Sequence, residues 1–430
     1  MEVKEENLTK NKKTVAVFTV LVAMIMSMFL SQTAWSQGFS MRGAAQPESQ
    51  DGKFTVTIVE PENGTITTNP PIPDDGLVSE GTVISVTATP HDGFALDSCY
   101  LAGRTNIEFM TPQIQITIDQ NRTIGASFIE KDALEGFTVT HNVVYAQPGV
   151  KKLKYDVFSP DEADNLPCIV IIHGGGWSMN TEDVMRGLAR ELVRSGDYVV
   201  FSIDYRWIGT ADGDQAPNTM ANIIEDVYGA ITHIQEHAEE YGADSTRIAV
   251  TGDSAGGHLS AAAINMIEMI GDGGFGQSEG IFQYKPTYMP QGKSVEQVRE
   301  ELKAAIQVAA PSYGVFSSNM LTRFAGDGSE ESIKAIAPID NIPNIEERQV
   351  PQFLSRGTND GLITDEAVKS YADALEAAGQ RIEYVLVEGA GHAFFDWKPD
   401  SRTKATFAQY GVPYAAQMKE FFDSVFYPDR

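Results

Sequence analysis

The chain carries Gly252-Asp253-Ser254-Ala255-Gly256, a G-x-S-x-G run, with His173-Gly174-Gly175-Gly176-Trp177 upstream of it. A serine hydroxyl is a weak nucleophile until a base takes its proton. It must also stand clear of the backbone to reach a substrate. A G-x-S-x-G run does this by turning a strand sharply into a helix, with glycines where a Cβ would clash. A glycine run behind a strand exposes amide N–H groups, which suit the oxyanion formed when serine attacks a carbonyl. The spacing therefore points to acyl transfer. Ser254 is the expected nucleophile, and the amides of Gly175, Gly176 and Ala255 are the expected oxyanion donors.

The base follows almost by elimination. The histidines are His91, His141, His173, His233, His237, His258 and His392. Behind such an elbow the order is serine, then acid, then histidine, and only His258 and His392 follow Ser254. His258 falls one turn into the helix leaving the elbow, a packing or capping position. His392 lies in Glu388-Gly389-Ala390-Gly391-His392-Ala393-Phe394, after the strand-like Ile382–Val387, and is the expected base. The expected acid is Asp360, in the loop after the strand-like Gln352–Ser355, because catalytic groups collect beyond strand ends in open α/β sheets. Asp340, Asp365 and Asp396 are weaker rivals. Asp365 reads as a helix N-cap, and Asp396 as a surface residue.

These side chains need elements to hold them. Arg247–Thr251 and Cys168–Ile172 read as short buried strands feeding the two glycine motifs, and His258–Met269 as the helix leaving the elbow. Helical and strand-like segments alternate from residue 150 onward, which predicts a mostly parallel sheet. Residues 53–130 differ. Phe54–Val59, Thr82–Thr89 and Gln113–Ile118 alternate between turn residues, as in a small all-β module. Residues 37–52 are polar and read as a linker. Lys10, Lys12 and Lys13 precede the uncharged run Thr14–Leu30, and Ala34-Trp35-Ser36 offers small residues for cleavage. Residues 1–36 are therefore expected to be a secretory signal, placing the protein outside the cell, in the periplasm or on the cell surface. An uncleaved anchor is the alternative. Cys99 and Cys168 fall in different modules, so the chain does not read as disulfide-stapled.

The chain has 32 Lys and Arg against 59 Asp and Glu, a formal net charge of −27. Nucleic-acid binding would need a basic patch and is disfavoured; polyanions would be repelled at long range. There is no H-E-x-x-H, Cys/His cluster or EF-hand loop, so no metal site is expected.

The chain resembles the α/β-hydrolase superfamily. Within it, the resemblance is to secreted esterases near the hormone-sensitive-lipase group, with a feruloyl/acetyl-xylan-esterase flavour. It covers residues 136–430 and includes Tyr198–Arg206, Asp226, Gly242–Ile248 and Ala374–Gly379. The resemblance implies an α/β-hydrolase fold, a mostly parallel sheet flanked by helices. It also implies Ser254 as nucleophile, His392 as base, Asp360 as acid, and no cofactor. Two departures bear on substrate choice: Arg356, where the family often has His, and the insertion-like Gly271–Lys293. Residues 53–130 resemble a bacterial β-rich repeat through Gly81–Pro90, Gly93-Phe94 and Asn121–Phe128, which implies surface or carbohydrate attachment, or a spacer.

Too little chain separates the β module from the Cys168 strand for a large helical cap. A fairly open cleft is expected, suited to short acyl groups or esters on sugar polymers, with Trp177, Trp207, Tyr313, Phe394 and Phe395 as candidate lining. Two other classes compete. A prolyl-oligopeptidase-type peptidase shares the order of the three residues, but the glycine run and the lack of a propeller repeat count against it. A non-catalytic surface-binding protein would be free to lose Ser254, Asp360 and His392, and all three are present.

Overall fold

Strand formers at alternate positions shape the first part of the chain. Our computed structural model describes residues 52–325 and 328–430; the expected signal segment and all but the last residue of the linker lie outside the described residues. The strands are β1 (Lys53–Ile58), β2 (Gly64–Asn69), β3 (Leu77–Ser79), β4 (Val83–Pro90), β5 (Phe94–Leu101), β6 (Ile107–Phe109), β7 (Gln113–Thr117) and β8 (Arg122–Glu130). They form a five-stranded sheet, order β3-β1-β8-β5-β6, and a three-stranded sheet, order β2-β4-β7. Ile84, Val86 and Ala88 of β4 alternate inward with Ile114 and Ile116 of β7, and meet Phe54, Val56 and Phe128 in a core of their own. Period-two burial is what a sheet with one solvated face requires.

The remaining strands are β9 (Phe137–Ala146), β10 (Leu153–Pro160), β11 (Leu166–Ile172), β12 (Val199–Ile203), β13 (Ala243–Asp253), β14 (Ile306–Ser312), β15 (Gln352–Gly357) and β16 (Ile382–Val387). They form one eight-stranded sheet, order β16-β15-β14-β13-β11-β12-β10-β9. From β12 to β16 every pairing is parallel, while β10 pairs antiparallel with both β12 and β9. β11 and β12 are buried almost throughout, as expected of parallel strands covered on both faces. The longer helices are α1 (Arg186–Val193), α2 (Met220–His237), α3 (Ala255–Asn265), α4 (Val295–Ala305), α5 (Asp365–Ala377) and α6 (Val412–Phe426). α2 and α4 cover one face and α1, α5 and α6 the other. This is an α/β-hydrolase fold with a small all-β unit before it.

Two local expectations are corrected. The post-elbow helix ends at Asn265, and Ile267–Met269 is a separate 3-10 turn. The cap of α5 is Thr364, whose Oγ1 accepts from the Ala367 amide at 3.2 Å. Asp365 is instead the first helical residue and accepts from the Tyr384 hydroxyl at 2.7 Å. The Gly271–Lys293 stretch packs onto α2: Tyr284 is buried, and the Thr287 amide donates to Glu225 O at 3.0 Å. Cys99 and Cys168 are both buried and unbridged.

The β unit is seated on the hydrolase through ions. Asp97 of β5 is buried and accepts from Arg186 Nε (2.9 Å) and Nη2 (3.0 Å), from Arg190 Nη2 (2.8 Å) and from Trp397 Nε1 (3.0 Å). Ser127 Oγ also donates to it at 3.0 Å, and Glu108 pairs with Arg186 at 2.7 Å. Burial works against ionising Asp97, but the two guanidiniums outweigh it and hold the carboxyl well below its ordinary range.

Candidate active site

β13 ends at Asp253 and α3 begins at Ala255, so Ser254 alone makes the turn. It does so at φ 51°, a conformation L side chains rarely adopt. The turn closes because its glycines carry no side chain. A Cβ on Gly256 would lie 1.9 Å from Ile172 O, and one on Gly252 would lie 2.3 Å from the same atom. The Ser254 amide donates to Ser312 O at 3.0 Å, which ties the elbow to β14.

The structure brings the three expected side chains together. His392 Nε2 lies 2.9 Å from Ser254 Oγ, and His392 Nδ1 lies 2.8 Å from Asp360 Oδ2. Asp360 Oδ1 accepts from the amides of Leu362 (2.8 Å) and Ile363 (3.0 Å), so both of its oxygens are engaged. Burial opposes its charge, but the hydrogen bond and charge of His392 and these two amides outweigh burial and keep the carboxyl below its usual range. The loops that carry Asp360 and His392 are pinned to each other. The Asn359 amide donates to Ala390 O at 2.9 Å, and the Gly389 amide to Thr358 Oγ1 at 2.8 Å. Arg356 donates to Asp360 O at 2.8 Å and to Ile363 O at 2.6 Å, so this departure from the family clamps the acid loop.

The glycine run follows β11. The Gly174 amide donates to Asp253 Oδ1 at 2.5 Å, which leaves the next two amides. Among the described residues, those of Gly175 and Gly176 donate to no protein acceptor. Ala255 opens α3, so its amide has no intrahelical acceptor. Gly175 sits at φ 116° and Gly176 at φ 59°, and a Cβ on Gly175 would meet Met179 O at 2.3 Å. Trp177 (φ 57°), Tyr313 (φ 35°) and Ala393 (φ 58°) are also left-handed. Strained non-glycine residues thus gather around Ser254, as they do at functional sites.

His258 is a packing residue. Its Nε2 donates to Ile336 O at 2.8 Å, Trp177 Nε1 donates to its Nδ1 at 3.3 Å, and burial lowers its pKa to about 4. Of the expected lining aromatics, Trp177, Tyr313, Phe394 and Phe395 are core residues. The Tyr313 ring packs 4.9 Å from the His392 ring and supports it from behind. Only Trp207 borders open space. Asp396, expected on the surface, is buried. Burial raises its pKa, while burial and then the charge of Asp396 push Asp253 well above its usual range. Asp253 was legible as a motif position but not as the acceptor that fixes the glycine run. No group of His, Cys, Asp and Glu among the described residues could hold a metal ion.

The BD-FAE family model matches residues 155–375, just over half of the 430 residues. The chain belongs to the BD-FAE family. A second match, over residues 54–132, is to the divergent InlB B-repeat domain. The BD-FAE chain is 26% identical over 309 residues to the carboxylesterase NlhH of Mycobacterium tuberculosis, covering 69% of this chain and 81% of that one. It is 31% identical over 187 residues to the carboxylic ester hydrolase LipN of the same organism, covering 38% of this chain and 48% of that one. Thermogutta terrifontis esterase 2 phosphorylated by paraoxon is similar at TM-score 0.49 and 23% identity, over 68% of this chain and 95% of that one. The BD-FAE protein is a carboxylic ester hydrolase.

Proposed function

We propose that this BD-FAE protein is a secreted serine esterase acting on short-chain acyl esters or esters attached to carbohydrate. Ser254 Oγ attacks the ester carbonyl while His392 Nε2 takes its proton. Asp360 holds the His392 tautomer and stabilises the imidazolium. The amides of Gly175, Gly176 and Ala255 take the oxyanion. His392 returns the proton to the departing alcohol, then activates the water that releases the acid. The observation that carries this reading is the pair of hydrogen bonds from His392, at 2.9 Å to Ser254 and 2.8 Å to Asp360. The amides of Gly175 and Gly176 beside the elbow, without a protein acceptor among the described residues, support the oxyanion assignment.

Hydrolysis of p-nitrophenyl acetate, butyrate and octanoate, acetylated xylan and methyl ferulate tests it. Ser254→Ala is expected to lose activity by a factor on the order of 10⁶ in kcat. Residual activity of a few per cent would remove Ser254 from its role, and strong activity on long-chain triglycerides alone would remove the substrate assignment. The mass of the exported protein tests whether residues 1–36 are a cleaved signal: a chain starting near Gln37 supports it, and an intact Met1 refutes it in favour of an uncleaved anchor.

A further inference from the structure

The β unit reaches the oxyanion loop. Its β5–β6 connection, residues 102–106, ends against the segment that follows the glycine run. Thr105 Oγ1 accepts from the Asn180 amide at 2.9 Å, and Arg104 Nη2 donates to Ser178 Oγ at 3.3 Å. Asn180 Nδ2 in turn donates to Gly174 O at 3.4 Å, and Trp207 Nε1 donates to Asn180 O at 2.9 Å. One hydrogen-bonded path therefore joins the β unit to the glycine run.

Between the two units opens a cleft of about 530 Å³, the size of a small-molecule site. Ser178 borders it, and two residues of chain span at most about 7 Å, so the cleft begins close to Gly176. Its wall from the β unit includes Arg104, Asn106 and Glu108, and its wall from the hydrolase includes Lys154, Asp183 and Trp207. Two cations face two carboxylates, so the lining carries no formal net charge and offers both donors and acceptors beside one flat aromatic ring. Arg104 pairs with no carboxylate among the described residues. Asp183 Oδ2 accepts from Thr181 Oγ1 at 3.1 Å, and its Oδ1 has no protein partner among the described residues. A sugar presents the matching chemistry, with hydroxyls that both donate and accept and an apolar face that stacks on an aromatic ring. A chain of net charge −27 disfavours a polyanion there.

We propose that this cleft is a subsite for a neutral saccharide carrying the ester, and that Arg104 of the β unit is a specificity-determining residue in it. The proposal rests on the carbohydrate-ester reading above, and gives the β unit a share in substrate choice in place of a spacer role. In the full chain, Arg104→Ala is expected to lower the ratio of kcat/KM on acetylated xylotetraose to kcat/KM on p-nitrophenyl acetate about tenfold, mainly through KM. Asn106→Ala, at a second, partly exposed position of the same wall, is expected to lower the same ratio. In the Ser254→Ala background, calorimetry with unesterified xylotetraose is expected to show binding that Arg104→Ala weakens to a similar degree. An unchanged ratio in both variants overturns the proposal while leaving the serine mechanism standing. Tighter binding of tetragalacturonate than of xylotetraose overturns the neutral assignment. Absence of turnover on any sugar ester overturns both this proposal and the carbohydrate reading.

Discussion

Asp97→Ala tests the seat between the two units. The substitution removes an acceptor bonded to Arg186 through two nitrogens, and to Arg190, Trp397 and Ser127. Arg186 keeps Glu108 at 2.7 Å and Asp183 O at 2.8 Å. Arg190 keeps its guanidinium over the Trp397 ring, at 5.6 Å from the ring centre, but no hydrogen bond, since its Nε and Nη1 already lack hydrogen-bond partners among the described residues. Breaking a buried pair in this way typically costs about 3–5 kcal/mol, because the remaining charge stays desolvated and unmatched. That is a large part of the roughly 5–15 kcal/mol that holds a domain folded. Urea unfolding at neutral pH, followed by fluorescence and by far-UV dichroism, reads the loss directly. Arg190→Met in the Asp97→Ala background removes the stranded charge and is expected to recover part of the stability. The pH dependence follows the same logic. A carboxyl whose native pKa is depressed contributes in full above its ordinary value, about pH 4, and loses that contribution as pH falls through the native value. Wild type and Asp97→Ala should therefore differ most above pH 4 and converge in acid. A loss below about 1 kcal/mol at neutral pH, or no recovery with Arg190→Met, would refute the buried-ion account.

Three further outcomes are expected. Asp360→Asn keeps the shape of the loop but releases the His392 tautomer, so kcat should fall by about 10⁴; steady-state kinetics on p-nitrophenyl acetate reads this, and a fall under tenfold contradicts it. Gly256→Ala places a Cβ 1.9 Å from Ile172 O, so it should destabilise by about 3 kcal/mol or leave the chain insoluble; a wild-type melting curve would show that the elbow can relax. Asp253 and Asp396 have native pKa values raised chiefly by burial, so their stabilisation is complete in acid and drains away as pH rises above about 4. Asp396→Asn should therefore gain stability over wild type at pH 8 and lose that advantage below pH 4, and a pH-independent difference would refute the account of a carboxyl raised by burial.

The parts legible in the sequence are those encoded within a few residues. The two glycine motifs each follow a strand, and Ile382–Val387 folds as the strand the alternation implied. His392 was found because chain order leaves few histidines behind Ser254, not because its surroundings announce it. The rest depends on contacts between distant segments. Phe394 and Phe395 look like pocket aromatics in sequence and are core because α6 packs over them through Tyr414. Asp396 reads as a surface residue, four positions after His392, and is buried close enough for its charge to act on Asp253. Asp365 lost the cap to its neighbour Thr364, a one-residue ambiguity that side-chain type alone does not resolve. Arg104 and Thr105 carried no motif at all. Their meaning arises only when β5 and β6 project them onto the segment behind the glycine run.

The Asp97–Trp397 hydrogen bond also sets a schedule for biosynthesis. The two residues are 300 positions apart, and Arg186 is 89 positions after Asp97. At about 5–20 residues per second, a ribosome delivers Trp397 roughly 15–60 s after Asp97. The β unit has its own apolar core and can close early. Its docking face then waits, with Asp97 and Glu108 in water, until almost the whole hydrolase has emerged. Completion of the junction is therefore among the last events in making the protein, and a ribosome stalled before codon 397 leaves it incomplete.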